Sequence, residues 1–323
     1  MKILFNHPEV VPVQRYGGTE RILYWLMKEL VLLGHQVCLV GNYKSQVEKI
    51  GVELIPIDKN LSDWRLHIPG DVDVIHLFIS PHLEFEQPLM VTLHGNGKVG
   101  EIFDKNTVFL SRNHAQNHGS KEFVYNGIDL AEYPVSTIRN KGWDKFLFLA
   151  KASWKVKNLK ACIGACKAVK KHLEVAGGRG FSLSSYINYN GIVDQDKKLE
   201  LLNETDALLW PVRWNEPFGV AVIESMALGN PVISSKFGSL PELINEKTGI
   251  LCDNYLDFES AVGLNENNFD PEYLRDYVEN KFTAKIMAQN YLKYYERVDR
   301  GETLNPTNPH TVSSRDPQEL LPF

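Results

Sequence analysis

A chain of 323 residues with 43% hydrophobic and 23% charged residues has the size and composition of one large or two medium globular domains. Its net charge of −5 argues against a general nucleic-acid binder, and no apolar run approaches the ~18 residues that cross a bilayer. Four scattered cysteines (Cys38, Cys162, Cys166 and Cys252) make no disulfide framework, which points to a reducing compartment and a cytoplasmic enzyme.

The chain opens directly on an apolar run with no cleavage-site pattern, so residues 2–5 are predicted as a first strand and not as a signal peptide. Residues 19–33 follow with apolar side chains at 22, 23, 26, 27, 30 and 33, a helical spacing, and Gly34 stands where a helix C-terminal cap belongs. Further strands are predicted at 36–40, 52–57, 72–78, 89–93 and 107–110. They are continuous apolar runs, as in parallel strands covered on both faces. After a turn-rich stretch at 133–142 the pattern restarts. Strands at 146–150, 172–176, 207–210 and 231–234 alternate with helices at 159–171, 197–203 and 220–228. Residues 273–297 read as helical, and the tail beyond them, with four prolines between 306 and 322, reads as loosely ordered. The chain therefore divides into a domain at 1–138, a second at 139–282, a helix at 283–298, and a tail at 299–323. The class is α/β, with two doubly wound parallel-sheet domains facing across a cleft.

The strongest motif runs from Trp214 to Ile233, where a strand leads through a loop into a helix starting near Gly219. Glu216 and Glu224 are separated by seven residues, so one carboxylate lies at the helix N-terminus and the other one to two turns along. A helix N-terminus seats phosphate, and an ionised carboxylate accepts hydrogen bonds from sugar hydroxyls. On spacing alone a second reading stands beside this one: Glu216 as a helix cap and Glu224 on a solvated face.

This segment resembles the glutamate–seven–glutamate signature of the retaining GT-B glycosyltransferases, the "glycosyl transferases group 1" family (family 4 type). Other stretches resemble that family in the same order. They are Tyr16-Gly17-Gly18-Thr19-Glu20-Arg21, Thr92-Leu93-His94-Gly95, Val124-Tyr125-Asn126-Gly127-Ile128-Asp129, Gly238-Ser239-Leu240-Pro241-Glu242 and Thr248-Gly249-Ile250-Leu251. The resemblance implies two Rossmann-like domains, the first on the acceptor side and the second binding the sugar nucleotide, with the helix at 283–298 crossing back to the first. It also implies roles. Glu224 would hold the ribose hydroxyls and Glu216 the donor sugar. Phe218 and Gly219 would present backbone N–H groups, Gly17 and Gly18 would admit the diphosphate or acceptor, and His94 would reach the transferred sugar.

One stretch departs from the family, which carries glycine–arginine and then lysine–glycine. Here Ala150-Lys151 and Trp154-Lys155-Val156-Lys157-Asn158 stand in those places. The cationic pair is carried over to Lys151 and Lys157, with Lys155 a rival for the second place. Lysine keeps the charge opposed to a diphosphate but loses arginine's bidentate fork.

Several other stretches are decoys. Asp71-Val72-Asp73 imitates a metal-binding aspartate pair but starts a strand of the first sheet. His114 and His118, one turn apart, have no third ligand between them. Gly177-Gly178-Arg179-Gly180 lacks dinucleotide spacing, and Cys162 and Cys166 read as small core residues. No metal and no cofactor are expected. The nine lysines against one acid over 141–171 read mainly as a solvated face and permit peripheral contact with an anionic membrane.

The resemblance thus implies retaining transfer of a sugar from a nucleoside-diphosphate donor, UDP before GDP, to a hydroxyl of a glycan, glycolipid or small molecule. Other readings on this scaffold are an epimerase-like or phosphorylase enzyme and a non-catalytic sugar-nucleotide-binding module.

Overall fold

The structure is a computed structural model and describes residues 1–13, 17–58, 63–81, 84–134 and 142–323. The first series comprises β1 (Lys2–His7), α1 (Gly18–Leu32), β2 (Gln36–Asn42), β3 (Glu53–Ile57), β4 (Val74–Leu77), β5 (Leu89–Thr92), β6 (Thr107–Val108) and α2 (Arg112–Gln116). The second comprises β7 (Lys145–Leu149), α3 (Leu159–Ala168), β8 (His172–Ala176), β9 (Ile187–Gly191), α4 (Gln195–Glu204), β10 (Ala207–Trp210), α5 (Val220–Ala227), β11 (Val232–Ser235), α6 (Leu240–Leu243), β12 (Gly249–Cys252), α7 (Tyr255–Val262) and α8 (Pro271–Lys281). α9 (Ala284–Asp299) closes the order.

Each series forms a six-stranded parallel sheet, ordered β3-β2-β1-β4-β5-β6 and β12-β11-β10-β7-β8-β9. Read outward from its first strand, the second sheet repeats the winding of the first. Both carry the Rossmann order, which reverses direction between β1 and β4 and between β7 and β10. β4, β10 and β11 are buried along their whole length, because helices cover both faces of such a sheet.

The chain divides into two units. Unit 1 holds residues 1–13, 17–128 and 283–315; unit 2 holds 129–282 and 316–323 among the described residues. The predicted boundary at 138/139 lies outside the described residues, while the change of unit falls at Ile128 and Asp129. The helical stretch predicted over 273–297 consists of two helices, the second over nearly the residues 283–298 set apart as a helix of their own. Phe282 breaks it, and Thr283 starts α9 by accepting the Ile286 N–H on its hydroxyl at 3.2 Å.

In unit 1, α9 buries Met287, Ala288, Tyr291, Tyr295 and Val298. At its start the Ala284 N–H meets the Ile128 carbonyl at 2.8 Å. Its tyrosines reach the sheet, with Tyr295 OH 2.7 Å from His76 Nδ1 and Tyr291 OH 3.2 Å from the Thr92 hydroxyl. Thr92 donates to Tyr291, so the neutral His76 ring carries its proton on Nε2, donates it to Thr92 at 2.8 Å and accepts the Tyr295 phenol on Nδ1.

The tail corrects an expectation. Residues 299–315 are fastened to unit 1. Asn305 is buried, its amide nitrogen donates to the Thr107 carbonyl at 2.9 Å, and its oxygen accepts from Ser120 at 2.5 Å. Residues 316–323 belong to unit 2, where Leu321 and Arg213 exchange hydrogen bonds and Phe323 packs on Phe237 and Phe258. An extended segment held by backbone bonds and one buried amide needs no apolar period, so the sequence pattern reads as loose.

Candidate functional site

Strands β7 and β10 are neighbours at the reversal point of the second sheet, so the loops leaving their carboxyl ends converge. Two hydrogen bonds stitch these loops together. Arg213 N–H donates to the Val156 carbonyl at 2.7 Å, and the Asn158 side chain donates to the Pro211 carbonyl at 3.0 Å. Asn158 has φ +56°, the left-handed conformation that starts α3. Asparagine tolerates it better than most residues and here does the work of the glycine found in the resembling family.

This turn drives Lys157 inward to 7% exposure. Its ammonium lies 2.6 Å from Glu216 Oε2 and 4.6 and 4.8 Å from the ring centroids of Trp210 and Trp214. Trp214 Nε1 donates to the same Oε2 at 2.9 Å. Glu216, 6% exposed, is thus a hydrogen-bonded partner in a buried ion pair and not a helix cap; α5 has no capping side chain. Its backbone is fixed from the next loop, where Ser239 N–H donates to the Glu216 carbonyl at 2.9 Å. Gly238 beside it has φ +69°, and a Cβ there would meet Glu216 N at 2.2 Å.

Gly219, with φ +94°, caps α5, and Phe218 is buried against Phe282 with its carbonyl accepting from Ser239 Oγ at 2.7 Å. Glu224, in the second turn, is 5% exposed, so the solvated-face reading does not hold. Its Oε1 accepts from Lys198 Nζ and from Tyr133 OH, each at 2.5 Å, and Lys198 also reaches Tyr133 OH at 3.1 Å. Arg275 on α8 fastens this corner, donating to the carbonyls of Tyr133 and Ala227 at 2.7 and 2.8 Å.

The predicted residues divide clearly. Lys157, Glu216, Phe218, Gly219 and Glu224 are brought together around the N-terminal half of α5. Lys151 is exposed with its ammonium 5.3 Å from the Trp154 ring, and Lys155 is exposed as well, so Lys157 takes the inner place. Lys198, Tyr133 and Trp214 escaped the sequence reading. Lys198 follows Lys197 on a polar helix and looks solvated, and Tyr133 lies 91 residues from its partner.

In unit 1, Gly17 and Gly18 lead from the β1 side into α1; Tyr16 lies outside the described residues. A Cβ on Gly18 would meet open space, whereas one on Gly17 would crowd Glu20 Oε2 at 2.6 Å. His7 Nε2 stands 3.6 Å from Glu20 Oε1 and holds that carboxyl below its ordinary value. His94 follows β5 with its ring 4.2 Å from Phe78. Burial pushes its pKa down to about 3, and its Nε2 has no hydrogen-bond partner among the described residues. It is a buried, neutral imidazole.

The decoys have structural partners. Asp73 accepts the Lys2 N–H at 2.7 Å and Asp71 pairs with the Lys2 ammonium at 2.7 Å. His114 and His118 hold loop backbone at Gly95, Leu110 and Gly97. Cys162 and Cys166 are buried free thiols. Among the described residues no group of three His, Cys, Asp or Glu side chains could hold a metal, and no helix is long and apolar enough to cross a membrane.

Two Rossmann-like domains of identical winding, with a Glu–seven–Glu helix entry at one reversal point, define the GT-B class of fold. Residues 132–282, just under half of the chain, match the family model "Glycosyl transferases group 1". A Mycobacterium tuberculosis glycogen synthase is 28% identical over 147 residues, 40% of this chain and 35% of that protein. The chain spans about a third of the length of the curated relatives it matches. The glycosyltransferase AviGT4, involved in avilamycin A biosynthesis, superimposes with TM-score 0.74 at 20% identity, covering 93% of this chain and 98% of that one. Anabaena Alr3699/HepE, solved with UDP and glucose, gives TM-score 0.68 at 15% identity, with 92% and 99% covered.

Proposed function

We propose that the protein is a retaining glycosyltransferase that moves a sugar from a nucleoside-diphosphate donor, UDP-linked before GDP-linked, to an acceptor hydroxyl in glycan or glycoconjugate synthesis. The observation that carries this reading is the buried Lys157–Glu216 pair at the start of α5, where no side chain caps the helix, with Glu224 buried one to two turns on. The leaving diphosphate gains negative charge as the glycosidic bond lengthens. Lys157 and the first-turn amides of α5 would stabilise it, since groups fixed before the reaction need not reorganise during it. Glu224 would take the ribose hydroxyls, held in place by Lys198 and Tyr133. Glu216 would position the sugar.

Retention would proceed by same-face substitution, the departing phosphate oxygen taking the acceptor proton, with no metal. The geometry supports Glu216 in a positioning role: one of its oxygens already receives an ammonium and an indole N–H, which lowers its nucleophilicity. In unit 1, the Gly17–Gly18 turn and the neutral His94 would serve the acceptor side.

A thermal-shift screen with UDP, GDP, ADP and TDP tests the reading, because a ligand that binds only the native state raises its melting temperature. One diphosphate should stand out, and its sugar conjugates should then transfer with retained anomeric configuration. No shift with any of the four, or a glycosyl ester trapped on Glu216, would overturn it.

A further inference from the structure

We propose that Trp210 is a phosphate-binding residue whose indole N–H donates to the β-phosphate of the nucleotide; this rests on the sugar-nucleotide reading above. Trp210 ends β10 at the reversal point of the second sheet and is 4% exposed. Its Nε1 is buried and has no hydrogen-bond partner among the described residues. Natural proteins pair almost all such groups, so an N–H kept dry and unpaired at a strand's carboxyl end needs an acceptor from outside the chain.

The indole nitrogen is aimed at the start of α5. It lies 3.7 Å from the point a Cβ on Gly219 would occupy, and Glu216 Cγ is 3.6 Å from the same point. The atom nearest that point is a Val222 methyl at 3.4 Å, and the polar groups beyond it are donors. They are the first-turn amides of a helix without a capping side chain and, 4.6 Å from the Trp210 ring, the Lys157 ammonium. The Glu216 carboxylate already takes two donors on Oε2. A hydroxyl could satisfy one N–H. An anionic oxygen cluster satisfies the N–H, the amides and the helix dipole together, which selects phosphate.

Trp210→Phe keeps an aromatic ring beside Lys157 and removes only the N–H. Calorimetric titration of wild type and variant with UDP and UMP, or with the matching pair from the thermal-shift screen, separates the outcomes. Diphosphate affinity should fall 5- to 20-fold while monophosphate affinity stays within twofold. Equal losses for both ligands would assign Trp210 to packing, and no loss for either would show that the N–H meets no phosphate; each overturns the proposal. A wild type that binds none of the nucleotides would instead defeat the sugar-nucleotide reading itself. Should Trp210→Phe fail to fold, wild-type protein labelled with 15N-tryptophan supplies the test. One indole N–H resonance should move downfield with the diphosphate alone, and still do so in Trp214→Phe. No such movement overturns the proposal.

Discussion

The ammonium of Lys198 and the carboxylate of Glu224 meet at 2.5 Å, with side chains only 8% and 6% exposed. Removing one member of such a pair strands the other without water. Lys198→Met should cost about 3–5 kcal/mol, whereas the double variant Lys198→Met/Glu224→Gln should recover most of that loss. Urea unfolding measures both. Nucleotide affinity should be lost in both variants, because the carboxylate is either displaced or gone. A stable single variant with full affinity would remove Lys198 from the site.

Lys157 is predicted to act on turnover. Lys157→Ala should lower kcat by about 10²- to 10³-fold, the scale for one fixed donor on developing charge. KM for the acceptor should hardly change. Lys151→Ala, at an exposed position, should cost far less. Equal losses in the two variants, measured by initial rates, would count against the distinction drawn between these lysines.

Gly238→Ala places a methyl group against the Glu216 backbone at a left-handed residue. The loop must give way, at about 1–3 kcal/mol, and Glu216 moves with it. The expected result is a lower melting temperature together with impaired donor binding. Loss of stability with unchanged donor affinity would mean that the loop relaxes without carrying its carboxylate.

Acid should weaken unit 1. Burial lowers the pKa of His76, His94, His114 and His118, that of His94 to about 3. The unfolded chain titrates these rings near the ordinary value of about 6.5, so as pH falls it binds protons that the native state refuses. Their contribution is therefore fully present above about pH 7 and declines below 6.5, by up to about 1.4 kcal/mol per pH unit for each ring. Urea midpoints at pH 7.5, 6 and 5 should fall steadily. A flat profile would show that these rings are protonated when folded.

Where the sequence was informative, the physics was local or repetitive. Continuous apolar runs such as Ile3–Phe5 written out along 3–5 reveal strands buried on both faces, and the 22/26/30 spacing reveals α1. Glu216 and Glu224 were legible because seven residues tie a loop to a helix. Lys198, Tyr133 and Trp210 were not, because each acquires its meaning from a partner brought near by the fold. Nothing in the run Lys197-Lys198 shows which ammonium turns inward. The loose reading of the tail failed for a related reason: Asn305 holds it through backbone carbonyls, and backbone leaves no trace in residue type.

The return of α9 to unit 1 has a consequence for synthesis on the ribosome. His76 and Thr92 emerge early, yet Tyr291 and Tyr295, which satisfy them, are translated about two hundred residues later. The second sheet has all its strands once Cys252 has emerged, while the first still lacks the helix that covers it. The part of the molecule made first must therefore wait for α9, and a nascent chain halted before Thr283 would hold a polar histidine inside an uncovered apolar layer.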